Sequence, residues 1–305
     1  MKKRILITGA AGYLGSVLYP ILKKKFDVIG MDNFLYHQEH SNDDYITADI
    51  TSLTDMYNLT KGINVVVALA GIVGDPACGL NPEETKIVNL ESTKLLVDAC
   101  ETNKVKRIVF ASTCSIYAKK PLSLYAQTKL DSEKILLKRC KKCEPIILRF
   151  GTLFGYSPRM RFDLVVNIMT AMAIKEGKII VNGGEQWRPL VHVSDVASMI
   201  QWIITYYDKY KGDKGNIINV IYNNYQIKKI AKTVSSWIQN TKIIEEEKNE
   251  DFRNYKVEVS PLFLCKKSVF TLLKGIDEMK KHFKKGEFED YKDKKYYNAE
   301  ILKTL

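Results

Sequence analysis

Tyr125 and Lys129 stand four residues apart in Tyr125-Ala-Gln-Thr-Lys129, a spacing that puts both side chains on one face of a helix. A free phenol, with a pKa of about 10, is a poor base at neutral pH. A neighbouring ammonium and a positively charged cofactor ring would both favour the phenolate. Tyr125 would then exchange a proton with a substrate hydroxyl while a bound cofactor exchanges a hydride with the adjoining carbon. Thr113, in Ala111-Ser-Thr-Cys-Ser-Ile-Tyr117, offers a hydroxyl to hold the same substrate oxygen. A bare Tyr-x-x-x-Lys is common, so its meaning depends on what accompanies it.

What accompanies it is a place for a dinucleotide. Directly after the β-branched run Arg4–Thr8 comes Gly9-Ala-Ala-Gly12-Tyr-Leu-Gly15. Such a strand-to-helix turn lets backbone N–H groups approach a pyrophosphate, whose charge then sits at the positive end of the helix. Asp32, at the end of the next strand and about twenty residues further on, is placed to accept hydrogen bonds from the adenosine ribose and to repel a 2′-phosphate. The cofactor expected is NAD rather than NADP. Asp49, in Thr47-Ala-Asp49-Ile50, is a second candidate, for the adenine edge.

These residues need a scaffold that brings strand ends together. Short β-branched runs alternate with longer amphipathic stretches, the pattern of β-α-β units and a parallel sheet. It predicts strands at Arg4–Thr8, Asp27–Met31, Asn64–Leu69, Arg107–Ala111 and Pro145–Arg149, with helices over Pro82–Thr102 and Leu122–Lys142. Asn81 is the expected N-cap of the first helix and Pro82 its first residue. After Phe150 come glycine-rich and aromatic loops, then helices near Phe162–Glu176, Asp195–Tyr206, Gln226–Gln239 and Gly275–Phe283. A strand at Asn216–Val220 is expected to rejoin the first sheet. The order predicts an α/β, doubly wound fold.

Composition narrows the class. With 305 residues, 46% apolar and 10% aromatic, the chain has the side-chain surface for a packed core in one large or two intimate domains. No apolar run reaches the roughly 18 residues of a membrane span, and Ile5–Thr8 is too short for a signal peptide; a cytoplasmic location is the expectation. The charge of +12 is scattered, and the lysines after Lys266 alternate with Asp and Glu. That mixture reads as a solvated helical surface, with no nucleic-acid motif. The six cysteines are read as reduced thiols. Cys140-Lys-Lys-Cys143 has no second ligand pair, and the four histidines (His37, His40, His192, His282) offer no matching spacing, so no metal site is expected.

Together these motifs resemble the extended short-chain dehydrogenase/reductases, specifically the NAD-dependent nucleotide-sugar epimerase/dehydratase family with UDP-glucose 4-epimerase as its type. Ala68-Leu-Ala-Gly71, Val88-Asn-Leu-Glu-Ser-Thr93, Leu148-Arg-Phe-Gly-Thr-Leu-Phe-Gly155 and Arg188-Pro-Leu-Val-His192-Val-Ser-Asp195 extend the match over nearly the whole length. The resemblance implies a Rossmann-type sheet with a smaller, mostly C-terminal α/β substrate-binding lobe. Residues 1–150 and about 191–220 would form the NAD-binding domain, and 151–190 and about 221–305 the nucleotide-sugar lobe. It assigns Thr113, Tyr125 and Lys129 to catalysis. To the cofactor it assigns Gly9, Gly12, Tyr13, Leu14, Gly15, Asp32, Asn33, Asp49, Ile50, Leu69 and Ala70, with Tyr125 and Lys129 contributing again. Arg188 and Arg253, the latter in Asp251-Phe-Arg-Asn-Tyr255, would clamp the nucleotide diphosphate, a task suited to a bidentate guanidinium. Thr152 stands where many relatives have a substrate-binding Asn. Arg159 and Arg161 are read either as exposed loop cations or as substrate contacts. His192 is expected to support the fold, and Cys114 and Trp187 to pack or anchor loops. The family also implies a homodimer, through the helices carrying Glu91–Cys100 and Tyr125–Leu137.

Two departures from the family pattern bear on the reaction. Dehydratases of the family follow the hydroxyl residue with an Asp-Glu pair that eliminates water, whereas Thr113 is followed by Cys114-Ser115. Only eleven residues separate Thr113 from Tyr125, a shorter connection than is usual. The reading that results is an NAD-dependent UDP-hexose 4-epimerase working through a transient 4-keto sugar. Its rivals are a nucleotide-sugar 4-dehydrogenase or 4-keto reductase and, more distantly, a non-catalytic NAD-binding regulatory protein on the same fold.

Overall fold

The computed structural model describes residues 2–36, 44–210, 216–246, 253–264 and 270–304. His37, His40, Asp251, Phe252 and Cys265 lie outside them.

Short β-branched runs with apolar side chains on both faces must be covered on both faces, and parallel strands joined by helices do this. The strands are β1 Arg4–Thr8, β2 Asp27–Asp32, β3 Tyr45–Thr47, β4 Val65–Ala68, β5 Arg107–Thr113, β6 Glu144–Phe150, β7 Thr152–Phe154, β8 Lys178–Asn182, β9 Trp187–His192, β10 Ile217–Val220, β11 Asn223–Gln226 and β12 Lys242–Glu246. The helices are α1 Gly15–Lys23, α2 Leu53–Leu59, α3 Asp75–Leu80, α4 Pro82–Lys86, α5 Ser92–Thr102, α6 Leu124–Arg139, α7 Val165–Glu176, α8 Val193–Tyr210, α9 Ile227–Trp237, α10 Pro261–Leu264, α11 Leu272–Lys284 and α12 Asn298–Leu302.

Seven strands form one sheet in the order β10-β6-β5-β4-β1-β2-β3, every pair parallel. One face packs Ile5, Ile7, Val65 and Ile146 against Leu18 of α1 and Ile200 of α8. The other packs Leu6, Val66 and Ile108 against Met56 of α2, Leu96 of α5 and Leu136 of α6. Strand order reverses between β1 and β4, whose ends Thr8 and Ala68 are paired. A crevice beyond that point is where such sheets bind ligands.

The five expected strands of the first half and the return of β10 beside β6 agree with the sequence reading, as does Asn81, whose side chain accepts from the Glu84 N–H at 3.1 Å. Several details differ. The helix expected over Pro82–Thr102 holds a π-turn at Ile87–Glu91. That expected over Leu122–Lys142 runs only from Leu124 to Arg139, because Ser123 caps it and accepts from the Ala126 N–H at 3.2 Å. Cys140 and Cys143 therefore follow the helix. Lys284–Lys294, expected as helical surface, is mostly turns; Phe288 and Tyr291 point inward onto Phe162, and that packing sets the local chain path.

Beyond β6 two small sheets appear, β11-β9-β7 and β12-β8. Their apolar faces meet α7, α9 and α11 around Phe154, Met169, Ile230 and Ile276. This second layer stands over the C-terminal edge of the main sheet through side-chain latches. Tyr13 donates its hydroxyl to the Gly155 carbonyl at 2.6 Å and accepts from the Asn167 amide at 3.1 Å. Ser157 Oγ donates to the Tyr13 carbonyl at 2.7 Å.

Candidate active site

The glycine turn is shaped by how closely β1, α1 and the end of β4 approach. Gly9 has φ +73°, and a Cβ there would lie 2.7 Å from the Ala70 nitrogen. A Cβ on Gly15 would overlap the Gly9 carbonyl oxygen. Only glycine lets the first turn of α1 sit this close to the strand end. Asp32 stands across the turn, its two oxygens accepting from the Ala11 N–H at 3.0 Å and the Phe34 N–H at 2.9 Å. Asn33 donates to Asp49 at 3.2 Å. Burial works to raise the Asp49 carboxyl, but bonds from Thr51 and Asn33 outweigh it and hold the group below its usual range. Leu69 and Ala70 close the opposite side, their N–H groups tied to the Thr8 carbonyl and hydroxyl. Ile50 packs on the adjoining core beside Leu6 and Met31. The residues the sequence reading assigned to the cofactor thus gather around the strand-order reversal. The Tyr13 side chain is engaged in the latch to Gly155, so what it and Leu14 bring to the turn is their backbone.

The residues the sequence reading assigned to proton transfer meet where β5 ends against α6. Tyr125, Lys129 and Glu133 follow one another at four-residue steps. Glu133, buried, accepts from Arg149 Nε at 2.9 Å and Nη2 at 2.6 Å and from the Ser112 hydroxyl, so β5, β6 and α6 are bound as one unit. Thr113 accepts from the Ser115 N–H at 3.1 Å and its hydroxyl interacts with the Tyr125 phenol.

Burial is the largest influence on that phenol and pushes it above its ordinary value; Thr113 and Arg161 pull it down, and Cys78 and Tyr255 push it up. Lys129 is 3% exposed. Burial pushes its ammonium down to about 8, opposed in part by Cys78 and Glu133, and Nζ stands 4.9 Å from the Phe110 ring centroid. The sequence reading expected a neighbouring ammonium to favour the phenolate. In the folded chain desolvation dominates both groups, because the same packing that brings them together removes their water.

Four arginines border this edge. Arg161 forms a two-point ion pair with Asp163, at 2.9 and 2.8 Å, and its guanidinium lies near Gly74. Arg159 is 4% exposed, with its Cζ 5.1 Å from the Tyr36 ring centroid. Neither is a solvated loop cation, which removes one of the two readings of the sequence. Arg188 is buried and donates to the Trp187 carbonyl at 2.9 Å; Arg253 stands 3.7 Å from Asp75. Tyr255 meets the Ser115 hydroxyl at 3.1 Å, so the 253–259 segment approaches the end of β5. Thr152, half-buried, begins β7 next to Leu190.

Residues given structural roles have them. His192 is fully buried, its Nε2 2.9 Å from Glu278 and its Nδ1 accepting from the Ser194 N–H. Cys114 donates to the Arg149 carbonyl. The backbone N–H of Trp187 donates to Asn254, and Lys256 lies over its ring. No group of His, Cys, Asp and Glu able to hold a metal occurs among the described residues, and none of their helices is long and apolar enough to cross a membrane.

Three contributors had no role in the sequence reading. Asn89, in the π-turn, exchanges two hydrogen bonds of 2.9 Å with the Ile72 backbone, fixing the Gly71-Ile72 corner beside Lys129. Only its place in Val88–Thr93 hinted at it. Cys78 acts on both Tyr125 and Lys129, and Tyr36 flanks Arg159; no spacing signal pointed to either.

Comparison with known proteins adds the following. The model of the NAD dependent epimerase/dehydratase family matches residues 5–220. The uncharacterized UDP-glucose epimerase YtcB of Bacillus subtilis is 30% identical over 236 residues, which are 66% of this chain and 72% of that one. The solved structure of MoeE5 in complex with UDP-glucuronic acid and NAD has a TM-score of 0.78 at 22% identity, over 93% of this chain and 99% of that one. That of the UDP-glucuronic acid 4-epimerase from Bacillus cereus, with the same two molecules, has a TM-score of 0.76 at 24% identity, over 92% of this chain and 99% of that one.

Proposed function

Since this chain belongs to the NAD dependent epimerase/dehydratase family, we propose that it is a nucleotide-sugar 4-epimerase, with a UDP-hexose as substrate and NAD held against the glycine turn and Asp32. The observation that carries the reading is the convergence of Thr113 and Tyr125, with Lys129 one turn along the same helix, at the end of β5. The cofactor residues fit a dinucleotide: a glycine turn too tight for any side chain and a carboxylate beside it.

When bound, NAD would take up and return the hydride at the sugar's C4. Tyr125 accepts the proton of the 4-hydroxyl and later gives it back to the same oxygen, while Thr113 holds that oxygen in place. Lys129, over Phe110 and one turn along the helix from Tyr125, would anchor the cofactor ribose and tune the phenol. Arg188 and Arg253 grip the nucleotide diphosphate, Thr152 and Arg161 face the sugar, and the segments 151–190 and about 221–305 form the substrate half, with 1–150 and about 191–220 the cofactor half. Cys114 and Ser115 supply no carboxylic acid next to Thr113, so loss of water from the sugar has no acid to assist it. A homodimer through α5 and α6 is proposed with this reading; it is supported by Leu137 of α6, which stays 48% exposed.

The test is incubation of the purified protein with a UDP-hexose deuterated at C4. A 4-epimerase returns the epimer with its deuterium retained and no added NAD consumed. Stoichiometric release of a 4-keto sugar would overturn the epimerase in favour of a 4-dehydrogenase, and a product lighter by one water would point to a dehydratase.

A further inference from the structure

Arg159 carries a positive charge into the protein interior and forms no ion pair among the described residues, Asp163 and Asp32 acting on it only from a distance. Its residue is 4% exposed, and both Nε and Nη2 lack a hydrogen-bond partner among the described residues. Tyr36, whose ring it covers, has a buried hydroxyl that is likewise unpartnered. Burying an unpaired guanidinium is costly, so such an arrangement persists where a ligand completes it.

The position of Arg159 says which ligand. Ser157, two residues earlier, is pinned to the glycine turn by bonds to the Tyr13 carbonyl at 2.7 Å and the Ser16 hydroxyl at 3.0 Å. Tyr36 belongs to the segment that follows Asp32, and Asp32 is among the charges acting on Arg159. Arg161, by contrast, is held at two points by Asp163 and acts on Tyr125 as well as on Tyr36. The two arginines, which the sequence reading left together as loop cations or substrate contacts, therefore differ in their bonding: Asp163 holds Arg161, while Nε and Nη2 of Arg159 stay without a hydrogen-bond partner among the described residues.

We propose that Arg159 is a cofactor-binding residue, its unpaired Nε and Nη2 closing over the diphosphate of NAD from the side opposite the glycine turn. The inference rests on the NAD reading of the crevice. The dinucleotide diphosphate would lie between backbone N–H groups at the start of α1 and a planar, two-point donor from the 155–164 segment. Because Ser157 and Tyr13 tie that segment to the turn, binding the cofactor also stiffens the connection to the substrate layer.

The experiment uses the full chain freed of nucleotide, titrated calorimetrically with NAD and, separately, with UDP, in wild type, Arg159→Met and Arg159→Lys. Arg159→Met is expected to weaken NAD about 10- to 100-fold, the range of a lost charge-assisted hydrogen bond, and to leave UDP within about twofold. Arg159→Lys, which keeps the charge without the fork, should fall between. The melting temperature of nucleotide-free Arg159→Met should equal or exceed that of wild type, since an unpaired buried charge is gone, while the rise on adding NAD shrinks. NAD affinity unchanged in both variants would overturn the assignment. So would a loss of UDP affinity with NAD unaffected, which returns Arg159 to the substrate. If Arg159→Met does not fold, Arg159→Lys decides, with wild-type NAD affinity counting against the proposal. Wild-type protein that binds no NAD would overturn the cofactor reading itself and the proposal with it.

Discussion

Replacing Lys129 by Met should make the nucleotide-free protein more stable while removing its turnover. Lys129 is 3% exposed and burial pushes its ammonium down to about 8, against about 10.4 in an unfolded chain. At pH 7 it is charged in both states, so the folded protein carries a cost of roughly 3 kcal/mol for that charge. Methionine of similar length escapes this cost but loses the cation over the Phe110 ring, about 1 kcal/mol. The net gain is about 2 kcal/mol, or roughly 3 °C in melting temperature for a chain of this size. The sign has its own pH signature. The folded pKa lies below the unfolded one, so between about pH 8 and pH 10.4 the unfolded chain binds more protons and wild-type stability rises with pH. The variant has no such term, so its advantage should be clearly smaller at pH 9.5 than at pH 7 and vanish only above about pH 10.4. Calorimetric melting of both proteins at pH 7 and pH 9.5 measures this, with turnover followed in parallel. A variant that melts below wild type at pH 7, or an advantage that does not change with pH, would refute the reasoning that burial dominates this group.

Tyr125→Phe should retain NAD and UDP affinity within about twofold and lose about 10²–10⁴ in turnover, the share of a positioned acid/base; steady-state kinetics with both titrations check it, and unchanged turnover would remove Tyr125 from the mechanism. Asp32→Ala should reduce a preference for NAD over NADP of about tenfold or more to near parity, because a 2′-phosphate no longer meets a carboxylate. Dissociation constants for the two cofactors decide it, and a preference unaltered by the substitution would place the discrimination elsewhere.

Local rules carried much of this protein. Backbone geometry demands glycine where a strand turns at once into a helix, so Gly9, Gly12 and Gly15 announce the turn, and a helical repeat of four puts Tyr125 above Lys129 whatever surrounds them. Six of the seven strands of the main sheet were legible for a related reason: strands buried on both faces must be apolar along their length, and the return of Ile217–Val220 to the sheet followed from that pattern, whereas the three-residue edge strand β3 was too short to show it. The small strands β7, β8, β9, β11 and β12 were not legible, since they are short and set among Gly151, Gly183 and Gly184. The surroundings of the site were decided by tertiary structure alone. Whether Arg159 faces water or the interior depends on Ser157 bonding to Tyr13, 144 residues away, and spacing along a chain carries no trace of such a contact. The protonation of Tyr125 and Lys129 was likewise beyond residue types: these name the groups that titrate, but the water removed when α6 packs against β5 sets the direction in which each shifts.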